Sequence, residues 1–190
     1  MSSAGILALV LPLAFASGIN IYATVAVIGL ASHAGLIALP GQFSAFGHEW
    51  VIGAALVLYA IEFVADKVPW VDSAWDVLHT IVRPAGGALV ALLAAGGAPV
   101  DIQVIAALLG GSVALTSHLA KAGTRVIVNA SPEPFSNWGL SLAEDVLVVG
   151  LTWLALEHPF AATMLALGLL AVIVASASAL VRALRRRVRR

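Results

Sequence analysis

Cysteine is absent from all 190 residues, which excludes disulfide frameworks, thiolate metal sites and thiol nucleophiles. Charge is scarce too. Only 11% of residues are Asp, Glu, Lys or Arg, against about 25% in a soluble domain. Aqueous enzymes, nucleic-acid binders and disordered regulators do not fit that composition. Hydrophobic residues make up 61% of the chain and the mean hydropathy is +1.02. Such a chain belongs in lipid, and its length suits one domain. Phosphate loops, nucleophile elbows and metalloprotease motifs are all missing. Neither catalytic residues nor a cofactor or metal are therefore expected, and enzymatic activity is disfavoured.

A membrane helix needs about 20 mostly apolar residues. Six stretches qualify: 13–32, 50–66, 77–96, 103–121, 138–156 and 160–181. The breaks between them carry turn chemistry, as in Gly96-Gly97-Ala98-Pro99 and Ser131-Pro132-Glu133-Pro134. Residues 4–12 read either as the start of one long helix interrupted near Pro12 and Gly18 or as a short half-helix. The odd-numbered loops, around 33–49, 97–102 and 157–159, contain no Lys or Arg. Positive charge marks the cytoplasmic side, so both termini are expected there. The basic tail, 182–190, is the stop-transfer anchor and the place where anionic headgroups are met.

A two-helix unit recurs. Pro69, Ser73 and Trp75 are matched 63 residues later by Pro132, Ser136 and Trp138. The stretch from Gly18 to Leu30 overlays that from Gly139 to Leu151, keeping both glycines and the final leucine. The expectation is an all-α integral membrane protein of about six spans. They form three parallel two-helix repeats, 11–67, 68–122 and 131–182, in one compact bundle. Gly86, Gly87, Gly110 and Gly111 would let helices approach closely.

Polar residues inside spans are costly and therefore informative. Each odd-numbered span carries a pair at i, i+4, on one helix face: Asn20 with Thr24, His79 with Arg83, Ser141 with Asp145. Glu144 adds an acid, Glu62 another, and His118 with Lys121 follow in the even spans. The expected pairing is Arg83 with Glu144 or Asp145. Asp66, Lys67 and Lys121 are assigned to the water boundary. Pro84 and Gly86-Gly87 point to a kink or unwound turn after Arg83. Ser73 reads as a helix cap, and either Ser136 or Asn137 as another. Ser131, Glu133 and Asn137 belong to a loop that could gate the site or dock a partner.

The stretches Glu62-Phe-Val-Ala-Asp-Lys-Val-Pro-Trp-Val-Asp-Ser-Ala-Trp-Asp76, Arg83-Pro84, His118-Leu-Ala-Lys-Ala-Gly-Thr-Arg125 and Asn129-Ala-Ser-Pro-Glu-Pro-Phe-Ser-Asn137 resemble a bacterial membrane-protein family. It is the one catalogued as domain of unknown function 4126. The resemblance implies a small multi-pass protein of the bacterial inner membrane and carries no activity onto any residue. The residues themselves point to a small transporter or channel-like protein. Asn20, Thr24, Glu62, His79, Arg83, His118, Ser141, Glu144 and Asp145 would line a cavity for a small polar or anionic solute, an ion or a lipid headgroup. The alternative is a structural or accessory membrane protein whose buried ion pairs only fix helix packing. The bilayer is the expected partner, nucleic acid is not, and self-association is left open.

Overall fold

The computed structural model describes residues 3–37, 41–130 and 135–188. Among them are seven α-helices and no strand: α1 (Ser3–Ile19), α2 (Ile21–His33), α3 (Glu49–Ala65), α4 (Pro69–Ala94), α5 (Val100–Asn129), α6 (Phe135–Glu157) and α7 (Pro159–Val188). A 3-10 helix, Gly41–Gly47, joins α2 to α3. Four helices, α4 to α7, are long and apolar enough to cross a membrane. Their outward faces carry Val77, Ile81, Leu108 and Met164, a surface suited to lipid rather than water. α3, at 17 residues, spans about 25 Å.

α1 is apolar all round, and a helix of that kind belongs in a core. It lies there, with Val10, Leu13, Ala14 and Ala16 fully buried against α4, α5, α6 and α7. Pro12 does not interrupt it. Proline removes the N–H that would bond the Ala8 carbonyl. Thr163 Oγ1 donates to that carbonyl instead, at 2.6 Å.

The direction of α1 follows from its contacts. Thr163, beside Ala8, sits in the first turn of α7. Ser117 of α5 donates to the Phe15 carbonyl, and Gly18 abuts Ala114, halfway along α5. α1 thus runs with α5 and α7 and stops in the middle of the bundle. α2 starts there, with Ile21 packed on Gly86 midway along α4, and reaches Ile52 at the start of α3 through Gly29. α3 runs with α5, because the residues at its C-terminal end meet Lys121 and Arg125. α2 therefore returns toward the end at which α1 began. The turn is Asn20, extended at φ −151 and ψ 100, whose side chain accepts from Ala23 N and caps α2.

The stretch 13–32 is therefore not one span. It divides into a half-helix covering residues 3–19 and a second one going back, with the break at Asn20 rather than at Pro12 or Gly18. The chain turns back at Asn20, so the start of α1 and the end of α7 lie at opposite ends of the bundle. A simple labelling experiment follows. In this cysteine-free background, Ala4→Cys and Gly35→Cys should react from the same side of the membrane and Arg186→Cys from the other. Labelling of Ala4→Cys together with Arg186→Cys would restore the uninterrupted span.

The glycine expectation holds between α4 and α5. A Cβ on Gly110 would stand 2.3 Å from the Ala91 Cβ and 2.7 Å from the Gly87 carbonyl oxygen. The backbones touch because nothing projects between them. α4 itself continues through Pro84 as unbroken helix, so no unwound turn follows Arg83. The caps also move. α4 begins at Pro69 and α6 at Phe135, which puts Ser73 a full turn inside α4 and Ser136 and Asn137 inside the first turn of α6. Ser73 bonds back to the Pro69 carbonyl.

Candidate functional site

Asp72, Asp76, His79 and Arg83 repeat every three or four residues and so share one face of α4. His118, Lys121 and Arg125 do the same on α5, and Asn137, Ser141 and Asp145 on α6. α3 contributes Glu62, with Asp66 as its C-cap. α3 and α5 run opposite to α4 and α6, so all these faces converge in one half of the bundle. Arg83 lies fourteen residues past Pro69, about 21 Å along α4. The cluster thus reaches from one end to the middle.

Arg83 is fully buried and forms the deep node. Its guanidinium donates to Glu62 Oε1 at 2.7 Å and to Asp76 Oδ1 at 3.2 Å. It also donates to His118 Nδ1 at 2.7 Å. An arginine cannot accept, so His118 Nδ1 must be the unprotonated nitrogen. Its Nε2–H then points at Thr80 Oγ1, 3.1 Å away, which donates to the Asp76 carbonyl. His118 is a neutral link between a donor, Arg83, and an acceptor, Thr80. His79 is a second one, giving its Nδ1–H to the Trp75 carbonyl and accepting from the Tyr22 hydroxyl.

Lys121 and Arg125 form the shallower node. Lys121 Nζ donates to Asp66 Oδ2 at 2.9 Å, to Glu62 Oε1 at 3.4 Å and to the Ile19 carbonyl at 3.3 Å. That carbonyl is the last of α1, at the negative end of its dipole. The broken helix is thereby tied to the charges. Arg125 spans Asp66 Oδ2 at 3.0 Å, Glu144 Oε2 at 2.6 Å and Asn137 Oδ1, a use of the planar fork that lysine cannot reproduce. Asn129 closes the cluster by donating to Asp72 Oδ2 at 2.6 Å.

Asp145 stands apart. It is 8% exposed, and among the described residues no cation approaches its carboxylate within 4.0 Å. Its Oδ2 has no hydrogen-bond partner, and Tyr59 faces it from α3. The nearby Lys67 is engaged elsewhere, bonding the Phe63 carbonyl and Ser141 Oγ and lying over the Phe63 ring. Glu62 Oε2, Asp66 Oδ1 and Asp72 Oδ1 are also unpartnered. Counted together, Glu62, Asp66, Asp72, Asp76, Glu144 and Asp145 make six acids. Lys67, Arg83, Lys121 and Arg125 make four cations. Acids outnumber cations in the cluster, and unpartnered donors, Arg83 Nε, Arg125 Nε and Asn137 Nδ2, are buried there as well.

Several sequence-based expectations are corrected here. Arg83 pairs with Glu62 and Asp76, while Glu144 belongs to Arg125 and Lys121. Asp66 and Lys121 are buried rather than at the water boundary, because α5 turns its cations inward onto the end of α3. Asn20 and Thr24 are buried in α2, but spend their bonds on the local backbone. Ser131 and Glu133 lie outside the described residues. Sequence reasoning left Asp72, Asp76, Arg125 and Asn129 out of the site. Their spacing from His79, Arg83 and Lys121 was the signal that could have found them.

Nothing among curated proteins or solved structures matches the chain. The family described as "Domain of unknown function (DUF4126)" matches residues 7–179, which takes in α1 through most of α7 and every side chain of the cluster. The protein belongs to the DUF4126 family.

Proposed function

We propose that this is a small inner-membrane transporter or channel-like protein whose buried acids hold a proton or a monovalent cation. The observation that carries the reading is Asp145, a buried carboxylate with no cation within 4.0 Å among the described residues and with Oδ2 lacking a donor. A structural network gains nothing from such a group, because an uncompensated buried charge costs several kcal/mol. The broken helix supports the reading as well. Half-helices meeting near the midplane beside charged groups are a common arrangement around transporter binding sites. An anionic solute fits less well, since the terminal nitrogens of Arg83 are already committed to Glu62, Asp76 and His118.

In this reading α3 to α7 cross the membrane, the basic tail is cytoplasmic and the charged half of the bundle faces the cytoplasm. Lys67 and the tail flank that end, whereas the opposite loops carry no Lys or Arg. The hairpins α2–α3, α4–α5 and α6–α7 are three parallel copies, the first shortened by the return at Asn20.

The test uses liposomes loaded with a pH-sensitive dye and driven by a potassium diffusion potential. Proton entry should exceed that of protein-free liposomes and fall to the protein-free rate in Asp145→Asn. The variant should melt no lower than the parent, since it removes an unpaired charge. Equal entry in parent and variant would favour the packing-only alternative.

A further inference from the structure

A cavity of about 200 Å³ lies between α1, α5, α6 and α7 and reaches Lys121 and Glu144. Its walls are apolar, with Leu147 on α6 and Leu169 and Val172 on α7. Val172 is exposed on the outer face of α7, so the cavity communicates with the side of the bundle that meets the hydrocarbon of a bilayer. Its volume falls below the roughly 300–1,000 Å³ of pockets for drug-sized ligands. A slim chain fits that space better than a fused ring system.

The polar end of the cavity decides which head such a chain can carry. Lys121 has three N–H groups, and all three are committed to Ile19, Glu62 and Asp66. None is left for a phosphate or a carboxylate. Ser117 gives its hydroxyl proton to the Phe15 carbonyl, and Thr124 gives its own to the Ala120 carbonyl. Both hydroxyl oxygens keep acceptor lone pairs. Glu144 is the most exposed acid among the ion pairs, its side chain at 12%. The cavity therefore offers a carboxylate and hydroxyl oxygens, and no free donor.

We infer that this cavity binds a single-chain amphipathic ammonium, entering sideways from the bilayer, with its alkyl chain along Leu147 and Leu169 and its head against Glu144. The inference rests on the cation-handling reading of the cluster and names the substrate class. An ammonium head supplies N–H donors to the Glu144 carboxylate and to the Ser117 and Thr124 oxygens at the polar end, where an anionic head finds no free donor. An alkyl tail replaces lipid against the apolar wall at no cost in polar contacts.

The experiment is a titration of the full chain in nanodiscs of phosphatidylcholine and phosphatidylglycerol, which carry no primary amine. The probes are decylammonium, decanol and decanoate, equal in chain length and different only in head, with empty nanodiscs as the partition control. Saturable binding of decylammonium above the control is expected, with decanol and decanoate at the control level. Glu144→Gln should weaken decylammonium at least tenfold, about 1.4 kcal/mol. Because that change also touches Arg125, Leu169→Trp serves as the second variant. It fills the chain slot without altering a charge and should abolish saturation while the protein still melts cooperatively. Equal binding of all three probes, or binding indifferent to Leu169→Trp, overturns the assignment. The titration contains no pH gradient or potential. Absent binding with proton movement intact overturns the ligand class alone, and binding without proton movement overturns the coupling alone.

Discussion

Arg83→Leu should lower the stability of the protein by about 3–5 kcal/mol. The loss comes less from the removed attraction than from what remains. Glu62 is fully buried and would keep only Lys121, at 3.4 Å, while Asp76 loses its ion-pair partner. His118 Nδ1 would lose its donor as well. Pairing the change with Glu62→Leu should recover part of the stability, because two leucines in that space need no partners. A single variant as stable as the parent would mean that Arg83 has water beside it.

The second large effect is steric. A Cβ on Gly18 would stand 2.1 Å from the Ala114 carbonyl oxygen and 2.0 Å from Ser117 Oγ. The hydroxyl can rotate away, but the carbonyl belongs to the backbone of α5 and cannot. Gly18→Leu should thus fall at the upper end of the roughly 1–3 kcal/mol seen for overpacked cores. It should also push the end of α1 away from Lys121, whose bond to the Ile19 carbonyl is only 3.3 Å. Proton movement in the liposome assay should fall with it. A comparison with Gly139→Leu is useful, since a Cβ there meets nothing within 4 Å. Equal melting of the two variants would remove α1 from the centre of the bundle.

The helices from α3 onward were readable, and four of them, α4 to α7, are long and apolar enough to cross a membrane, because lipid demands long apolar runs and those runs are interrupted by Pro and Gly. The nine polar residues singled out from the spans are all at least largely shielded, since the cost of burying polarity holds whatever the topology. What could not be read was partnership. Arg83 has acids within reach on α3, α4 and α6, and which helix presents one depends on how the bundle closes. The turn at Asn20 was hidden for a different reason. Its flanks are as apolar as any span, and hydropathy carries no direction. Pro12, the residue that looked like a break, is accommodated by a hydroxyl 151 positions further along the chain.

The Ala8 carbonyl and Thr163 are 155 residues apart, and that separation constrains biosynthesis. α1 is held by α4, α5, α6 and α7, all of which leave the ribosome after it. At about 5–20 residues per second, some 8–30 s pass between the synthesis of Ala8 and that of Thr163. α2, with 13 residues, is too short to be stitched into a bilayer alone. α1, translated before every helix that holds it, is thus the last to find its seat. A chain stopped before α7 should keep its N-terminal region accessible to protease, and release of the completed chain should close that access.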